Sequence, residues 1–255
     1  MTDHLLVTKE DGVATMTMNR PKARNALSMD MRLAMFDAVD DIEHDKSIRC
    51  VVLRGAGGHF MAGGDIKNFN EYLEMEPIER RTSFERRVHS LHAMMFALKR
   101  MEKPVIASVE GAAAGAGISF MTACDLAIGA DTSYYKFSYV GIGASPDGSG
   151  SYHLPRIVGV RKALEIAMLG DTFDAAEAHR LGLLNWMVPE ADIDRTSAEG
   201  KASSIQFLHF PFTDAQVEKF RSSEAKVVLG IGHQKYGHMA ALTGAVKDAL
   251  AGDFD

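Results

Sequence analysis

The stretch SVEGAAAGAGISFMTACDLAI, Ser108–Ile128, sets Gly111, Gly115 and Gly117 and six alanines between two apolar runs. A dinucleotide-binding fingerprint requires G-x-G-x-x-G directly after a strand near the start of a βαβ unit. Here Gly115-Ala116-Gly117 is followed by Ile118, Ser119 and Phe120, and the strand arrives only after residue 100. The fingerprint fails on both counts. What remains is a strand, a small-residue turn and a helix starting near Ala116. Such a start aims free backbone N–H groups and the positive end of a helix at one point. Close packing accounts equally well for the small residues taken alone.

A second stretch changes that balance. HFMAGGDIKNF, His59–Phe69, is another strand-to-glycine turn, able to present the N–H of Gly64. Two backbone donors converging from separate turns can hold a developing oxyanion.

Around these two turns the chain alternates strands and helices, which predicts a layered α/β fold as far as about Pro189. GVATMTMNRP (Gly12–Pro21) alternates as a half-buried strand, and Ser28 is placed to cap a helix carrying Met31, Met35, Val39 and Ile42. RCVVLRGAGGHF and VIASVEG read as buried strands, and Thr82–Met101 as a long helix. VRKALEIAMLGD and DAAEAHRLGL read as helices closing on Gly170 and Gly182, with Asp174 and Glu177 opening the second. Beyond Glu190 the pattern becomes irregular, and Asp214–Asp255 reads as two helices parted by GIGHQ. The expected organisation is therefore a core over residues 1–190 and a C-terminal helical region over 191–255.

Composition excludes several classes. With 255 residues, 46% hydrophobic, 24% charged and a formal net charge of −6, the chain lacks the cationic footprint of a nucleic-acid binder. No apolar run approaches the ~18 residues of a membrane span, and the N-terminus lacks the plan of a signal peptide. Cys50 and Cys124 are expected as free buried thiols in a reducing compartment, and a cytoplasmic protein is the expectation. No ligand cluster with metal-binding spacing occurs, so neither a metal nor a redox cofactor is expected.

RPKARNALS (Arg20–Ser28), FMAGGDIK (Phe60–Lys67), KPVIASVEGAAAGAG (Lys103–Gly117), CDLAIGA (Cys124–Ala130), GIGASPDGSGSYHLPRIVG (Gly141–Gly159) and A..LGL (Ala178–Leu183) recur in one order and spacing. In that combination the chain resembles the crotonase (enoyl-CoA hydratase/isomerase) superfamily over residues 5 to 190. The resemblance implies a crotonase-like spiral of ββα units, an acyl-CoA thioester as ligand with no other cofactor, and a homotrimer or hexamer. It places the oxyanion donors on the N–H groups of Gly64 and Ala116, beside Ala62, Asp65, Ile66 and Gly115 on the substrate side. Lys22, Arg24 and Lys67 fall in the family's region for the nucleotide end of CoA. Met61, Phe69, Met94, Met95, Phe137 and Tyr139 are candidates for an apolar acyl pocket, and core packing explains the same residue types. The tail beyond Glu190 does not follow the family pattern; trimer contacts or cover over the active site are the roles open to it.

The two positions where the resemblance implies hydratase glutamates carry Ser119 and Tyr139. Neither is a carboxylate base near neutral pH; free tyrosine titrates near 10. Asp147, in SPDGSG, stands where some aspartate-using isomerases of the superfamily carry their base and where chlorobenzoyl-CoA dehalogenase carries its nucleophile. A turn or helix-capping aspartate is the alternative. His92 matches the water-activating histidine of that dehalogenase, and a polar residue beside a pocket is the alternative for it, as for His89. Three functions follow from this reading: isomerase-type proton transfer by Asp147, hydrolysis or dehalogenation with Asp147 as nucleophile and His92 as base, and acyl-CoA binding without chemistry.

Overall fold

The structure, a computed structural model, describes residues 3–66, 72–193 and 218, and the backbone of 70–71, 228–233 and 236–241. Contacts divide the chain into Met1–Ile205 and Gln206–Asp255.

The first unit is built on a six-stranded sheet. β1 (Leu5–Glu10) pairs antiparallel with β2 (Val13–Met18), and β3 (Cys50–Gly55) then runs parallel beside β2. β2 alternates as its sequence demands, with Ala14, Met16 and Met18 buried. Ser28 caps α1 (Met29–His44), its Oγ accepting from Met31 N at 3.1 Å, and Met31, Met35, Val39 and Ile42 form the buried stripe. After the short α2 (Asn70–Leu73) comes α3 (Pro77–Arg100), which begins five residues before the start expected at Thr82. Residues 77–81 are exposed, so no apolar period reports them; Pro77 at the first turn sets the start instead.

β4 (Val105–Val109) lies parallel to β3 at the centre of the sheet, which explains its nearly continuous apolar sequence. It is followed by β5 (Ala112–Ala114) and α4 (Ala116–Ala123). β6 (Leu126–Ala130) extends the large sheet beside β4, and β7 (Tyr134–Lys136) pairs with β5. α5 (Gly150–Val158) and α6 (Val160–Leu169) follow. β8 (Thr172–Asp174) closes the smaller sheet against β7. Asp174 then caps α7 (Ala175–Arg180), accepting from Glu177 N at 2.8 Å. β9 (Trp186–Val188) ends the large sheet beside β6, ahead of α8 (Glu190–Ile193).

The pattern repeats. Each unit sends one strand to the large sheet, a shorter extended segment to the narrow one, and a helix back: β3, Met61 and α3; β4, β5 and α4; β6, β7 and α5. Parallel bridges Leu27–Gly64 and Met61–Ala113 continue the narrow sheet beyond β5. The narrow sheet thereby lays the two glycine turns edge to edge. This is the spiral of ββα units that the sequence implies.

Cys50 and Cys124 are free and buried, as expected, and burial pushes the Cys124 thiol up to about 12. Among the described residues no helix is long and apolar enough to cross a membrane. In the second unit the expectation of two helices parted by GIGHQ is corrected where backbone is described. β10 (Val228–His233) and β11 (Tyr236–Ala241) form an antiparallel hairpin. Gly230, Gly232 and Gly237 each penalise a helix, and Val228 and Ile231 favour extended backbone. Apart from Glu218, the other residues assigned to those helices lie outside the described residues.

Candidate active site

The backbone of residues 20–28 is positioned from within. Asn25 is fully buried; its Nδ2 donates to Ala56 O and His59 O at 2.9 and 2.7 Å, and its Oδ1 accepts from Arg20 N at 2.8 Å. This fastens the loop to the turn after β3. Leu27 N then donates to Gly63 O at 2.8 Å, and Asp65 N to Leu27 O at 3.2 Å. That pairing uses the Gly63 carbonyl and the Asp65 N–H on either side of Gly64 and leaves the Gly64 N–H without a backbone acceptor among the described residues.

The second turn supplies a matching donor. Gly115 has φ 49° and ψ −119°, a conformation open to glycine alone, and turns the chain from β5 into α4. Its N–H donates to Lys136 O at 2.8 Å, while Ala116, the first residue of α4, has no carbonyl behind it to accept. A Cβ on Gly63 would lie 3.6 Å from Ala116 N, so the two turns touch. Gly117 serves packing: a Cβ there would lie 2.3 Å from Met61 O. The small residues of Ser108–Ile128 therefore do both things asked of them, close approach and donor presentation.

A cavity of about 550 Å³ opens over these donors. Of the residues expected at the site, it is lined by Ala62, Gly64, Ile66, His92, Gly115, Ala116, Tyr139 and Asp147. Met61, Met94, Met95 and Phe137 are instead core residues at 0–1% exposure. Asp65 lies beside the turn and is tied to Arg20 at 2.9 Å. Lys22 and Arg24 sit exposed on the turn at Pro21–Ala23, away from the cavity wall, and His89 is exposed on α3. Lys67 and Phe69 lie outside the described residues. Arg32, Arg87, Val88 and Leu91 also line the cavity from α1 and α3, with Met29 and Phe84. Sequence reasoning missed them because helical period separates apolar from polar faces and gives no sign that a polar position borders a cavity.

Asp147 is not spent on capping. The N-cap of α5 is Ser149, with no side-chain bond, and Ser149 itself holds a left-handed φ of 64° next to Gly148 at 56°. This tight reversal turns the Asp147 side chain into the cavity. Its Oδ1 accepts from Tyr139 Oη at 2.7 Å, and Oδ2 has no protein donor among the described residues. Tyr139 Oη also lies 3.1 Å from Ser119 Oγ, which is 3.0 Å from Asp147 O. Each hydroxyl carries one proton. With the Tyr139 proton on the carboxylate, the single Ser119 proton serves either Tyr139 or the Asp147 carbonyl. Burial, and then the charge of Asp147, push the Tyr139 phenol well above its ordinary value, so it stays a neutral donor. Among the described residues no group of three or more His, Cys, Asp or Glu is placed to hold a metal ion.

Comparison with known proteins agrees with this architecture. The sequence profile of the enoyl-CoA hydratase/isomerase family matches residues 8–206. The chain is 36% identical to 4-chlorobenzoyl coenzyme A dehalogenase-2 of Arthrobacter sp over 77% of its length and 70% of that protein. It is 33% identical to 1,2-epoxyphenylacetyl-CoA isomerase of Escherichia coli K12, over 78% of its length and 73% of the relative's. Among solved structures, an enoyl-CoA hydratase/isomerase from Marinobacter aquaeolei superposes with a TM-score of 0.70 at 33% identity, covering 75% of this chain and 73% of that one.

Proposed function

Since the chain belongs to the enoyl-CoA hydratase/isomerase family of acyl-CoA enzymes, we propose that it moves a proton along the acyl group of a CoA thioester, with Asp147 as the base. The observation that carries this reading is the carboxylate itself. Asp147 is the one Asp or Glu on the cavity wall among the described residues, and its Oδ2 is free of protein donors. The thioester oxygen lies between the Gly64 and Ala116 N–H groups. Asp147 Oδ2 takes a proton from carbon α or γ to the carbonyl. The electron pair passes to the thioester oxygen as an enolate, where the two donors hold it. The Asp147 carboxyl, whose proton exchanges with solvent, then protonates the other carbon, shifting the double bond and regenerating the carboxylate. One base suffices for this sequence, whereas the hydratase scheme uses two carboxylates, and Ser119 and Tyr139 occupy those positions.

One observation favours a second reading. His92 lines the same cavity as Asp147, and the relative just described as a dehalogenase shares 36% identity. In that scheme Asp147 attacks the acyl carbon framework, halide leaves, and His92 activates water to free the ester. The exposed apolar residues Val160, Leu164, Met168 and Leu169 of α6 support the trimeric or hexameric assembly in either case.

The test is turnover of a panel of enoyl-, dienoyl- and aryl-CoA thioesters by wild type and Asp147→Asn, in D₂O and in ¹⁸O-water. Proton transfer predicts solvent deuterium in the acyl chain, no ¹⁸O in the product, and loss of both signals in Asp147→Asn with acyl-CoA binding retained. Hydrolysis predicts free CoA or halide, and ¹⁸O on Asp147 after a single turnover. An Asp147→Asn variant as active as wild type overturns both schemes, and binding without turnover of any thioester points to a non-catalytic paralogue.

A further inference from the structure

Arg32 stands on the cavity wall in the first turns of α1, and it is only 9% exposed. Its Nη1 donates to Arg87 O at 3.0 Å and Nη2 to the Met29 sulfur. Of the five guanidinium N–H groups, three have no acceptor among the described residues. No carboxylate among the described residues pairs with it, and another cation, Arg87, stands on the same wall. Burial and that neighbour both oppose its charge. A guanidinium held out of water without an anion costs several kcal/mol, which makes an uncompensated one a strong demand for a partner. The described residues supply none, which points to the ligand as the source of the partner.

The place of Arg32 says which part of the ligand. Leu91 packs next to Gly148, its Cδ2 within 3.5 Å of where a Cβ would stand there, and so marks the Asp147 end of the cavity on α3. Arg87, to which Arg32 is bonded, lies one helical turn earlier, ~6 Å along the axis. A short acyl chain spans that distance. The basic residues expected to meet the CoA nucleotide, Lys22 and Arg24, lie elsewhere, on the exposed turn outside the cavity wall. A guanidinium presents its donors as a planar fork that matches a carboxylate.

We propose that Arg32 is a specificity subsite for a carboxylate at the far end of the acyl group, so that the substrate class is the CoA thioester of a short dicarboxylic acid. This rests on the acyl-CoA reading above and adds the chemistry of the acyl terminus to it. Arg32 selects the substrate and takes no part in proton transfer.

Two thioesters of equal chain length test it by calorimetry: glutaryl-CoA, ending in a carboxylate, and pentanoyl-CoA, ending in a methyl group. Free CoA is the third probe. Wild type is expected to bind glutaryl-CoA about tenfold or more tightly than pentanoyl-CoA. Arg32→Met keeps length and bulk without charge. It is expected to abolish that preference and leave pentanoyl-CoA and free CoA within about threefold of wild type. Equal affinity of wild type for the two thioesters overturns the proposal. So does a variant that loses free CoA and both thioesters in parallel, since Arg32 then serves the CoA phosphates. If neither thioester nor free CoA binds wild type, the acyl-CoA reading itself falls, and that result is distinct from binding without preference. The wild-type ratio needs no variant, and Arg32→Lys, which keeps the charge but not the fork, should retain part of the preference if Arg32→Met does not fold.

Discussion

Tyr139 Oη donates to Asp147 Oδ1 over 2.7 Å, while the same oxygen stands 3.1 Å from Ser119 Oγ. Ser119 and Tyr139 are the positions at which the family resemblance implies paired glutamates. Here Tyr139 holds the carboxylate of Asp147, and Ser119 holds Tyr139 and the Asp147 carbonyl.

Tyr139→Phe should therefore act on the chemical step. The ring keeps its edge contact with Phe137, at 4.9 Å between centroids, and only the hydroxyl is lost. Removing a hydrogen bond to a charged acceptor costs about 1.5–3 kcal/mol. The expected result is a fall in kcat with KM nearly unchanged, read by steady-state kinetics on the best thioester. An equal rise in KM would show that Tyr139 serves binding rather than orientation of Asp147.

Ser119→Ala should be milder. The Ser119 hydroxyl touches the carbonyl of Asp147 and the Tyr139 oxygen, not the carboxylate. Turnover should stay within a few-fold of wild type, with a stability loss of about 1 kcal/mol in urea. A thousandfold loss of kcat in a folded variant would mean that Ser119 handles a proton directly.

Ala116→Pro removes one N–H from the pair of donors at a helix position that tolerates proline. Losing one such donor costs about 2.7–4 kcal/mol in the transition state. The variant should keep its circular dichroism and bind free CoA, yet lose most of its kcat. Full activity would place the oxyanion elsewhere.

Gly117→Ala should destabilise without touching the cavity. Its Cβ would fall 2.3 Å from Met61 O, the carbonyl that accepts from Ala114 N at 2.8 Å in the narrow sheet. Overpacking of this kind costs about 1–3 kcal/mol. Thermal unfolding should show a lower Tm, and an unchanged Tm would mean that the α4 start can shift away from Met61.

Alkaline pH should unfold the protein through its buried phenols. Burial raises both Tyr135 and Tyr139 well above the ordinary value. The unfolded chain ionises its tyrosines near pH 10, while the folded chain keeps these two protonated. Their contribution is thus fully present below about pH 10 and is lost as pH rises beyond it. Urea midpoints should fall above that pH, and Tyr139→Phe should lessen the fall. A slope identical in the two proteins would show that Tyr139 ionises freely in the fold.

The alternation of strands and helices, the two glycine turns and the Pro-Asp-Gly reversal at Asp147 were legible in the sequence because each is a local matter, while the spiral came from the family resemblance. A strand running into glycine, a residue that must hold φ 49° at Gly115, and a Pro-Asp-Gly reversal are written in adjacent residues. What the Asp147 carboxylate faces was not legible. Capping and catalysis use the same residue at the same place, and only the approach of Tyr139 from the segment after β7 and of Ser119 from α4 separates them. Met61 reads as a pocket residue yet is a core residue, since apolar lining and apolar core share one composition. Arg32 and Leu91 were invisible for the converse reason: they line one cavity from α1 and α3, about sixty residues apart in the chain. Short-range sterics let the sequence by itself determine the turns, and the order of its motifs carried the resemblance to the family. Which side chains share a cavity, and so which charge is left without a counterion, depends on contacts between distant segments, and the tertiary structure alone decided it.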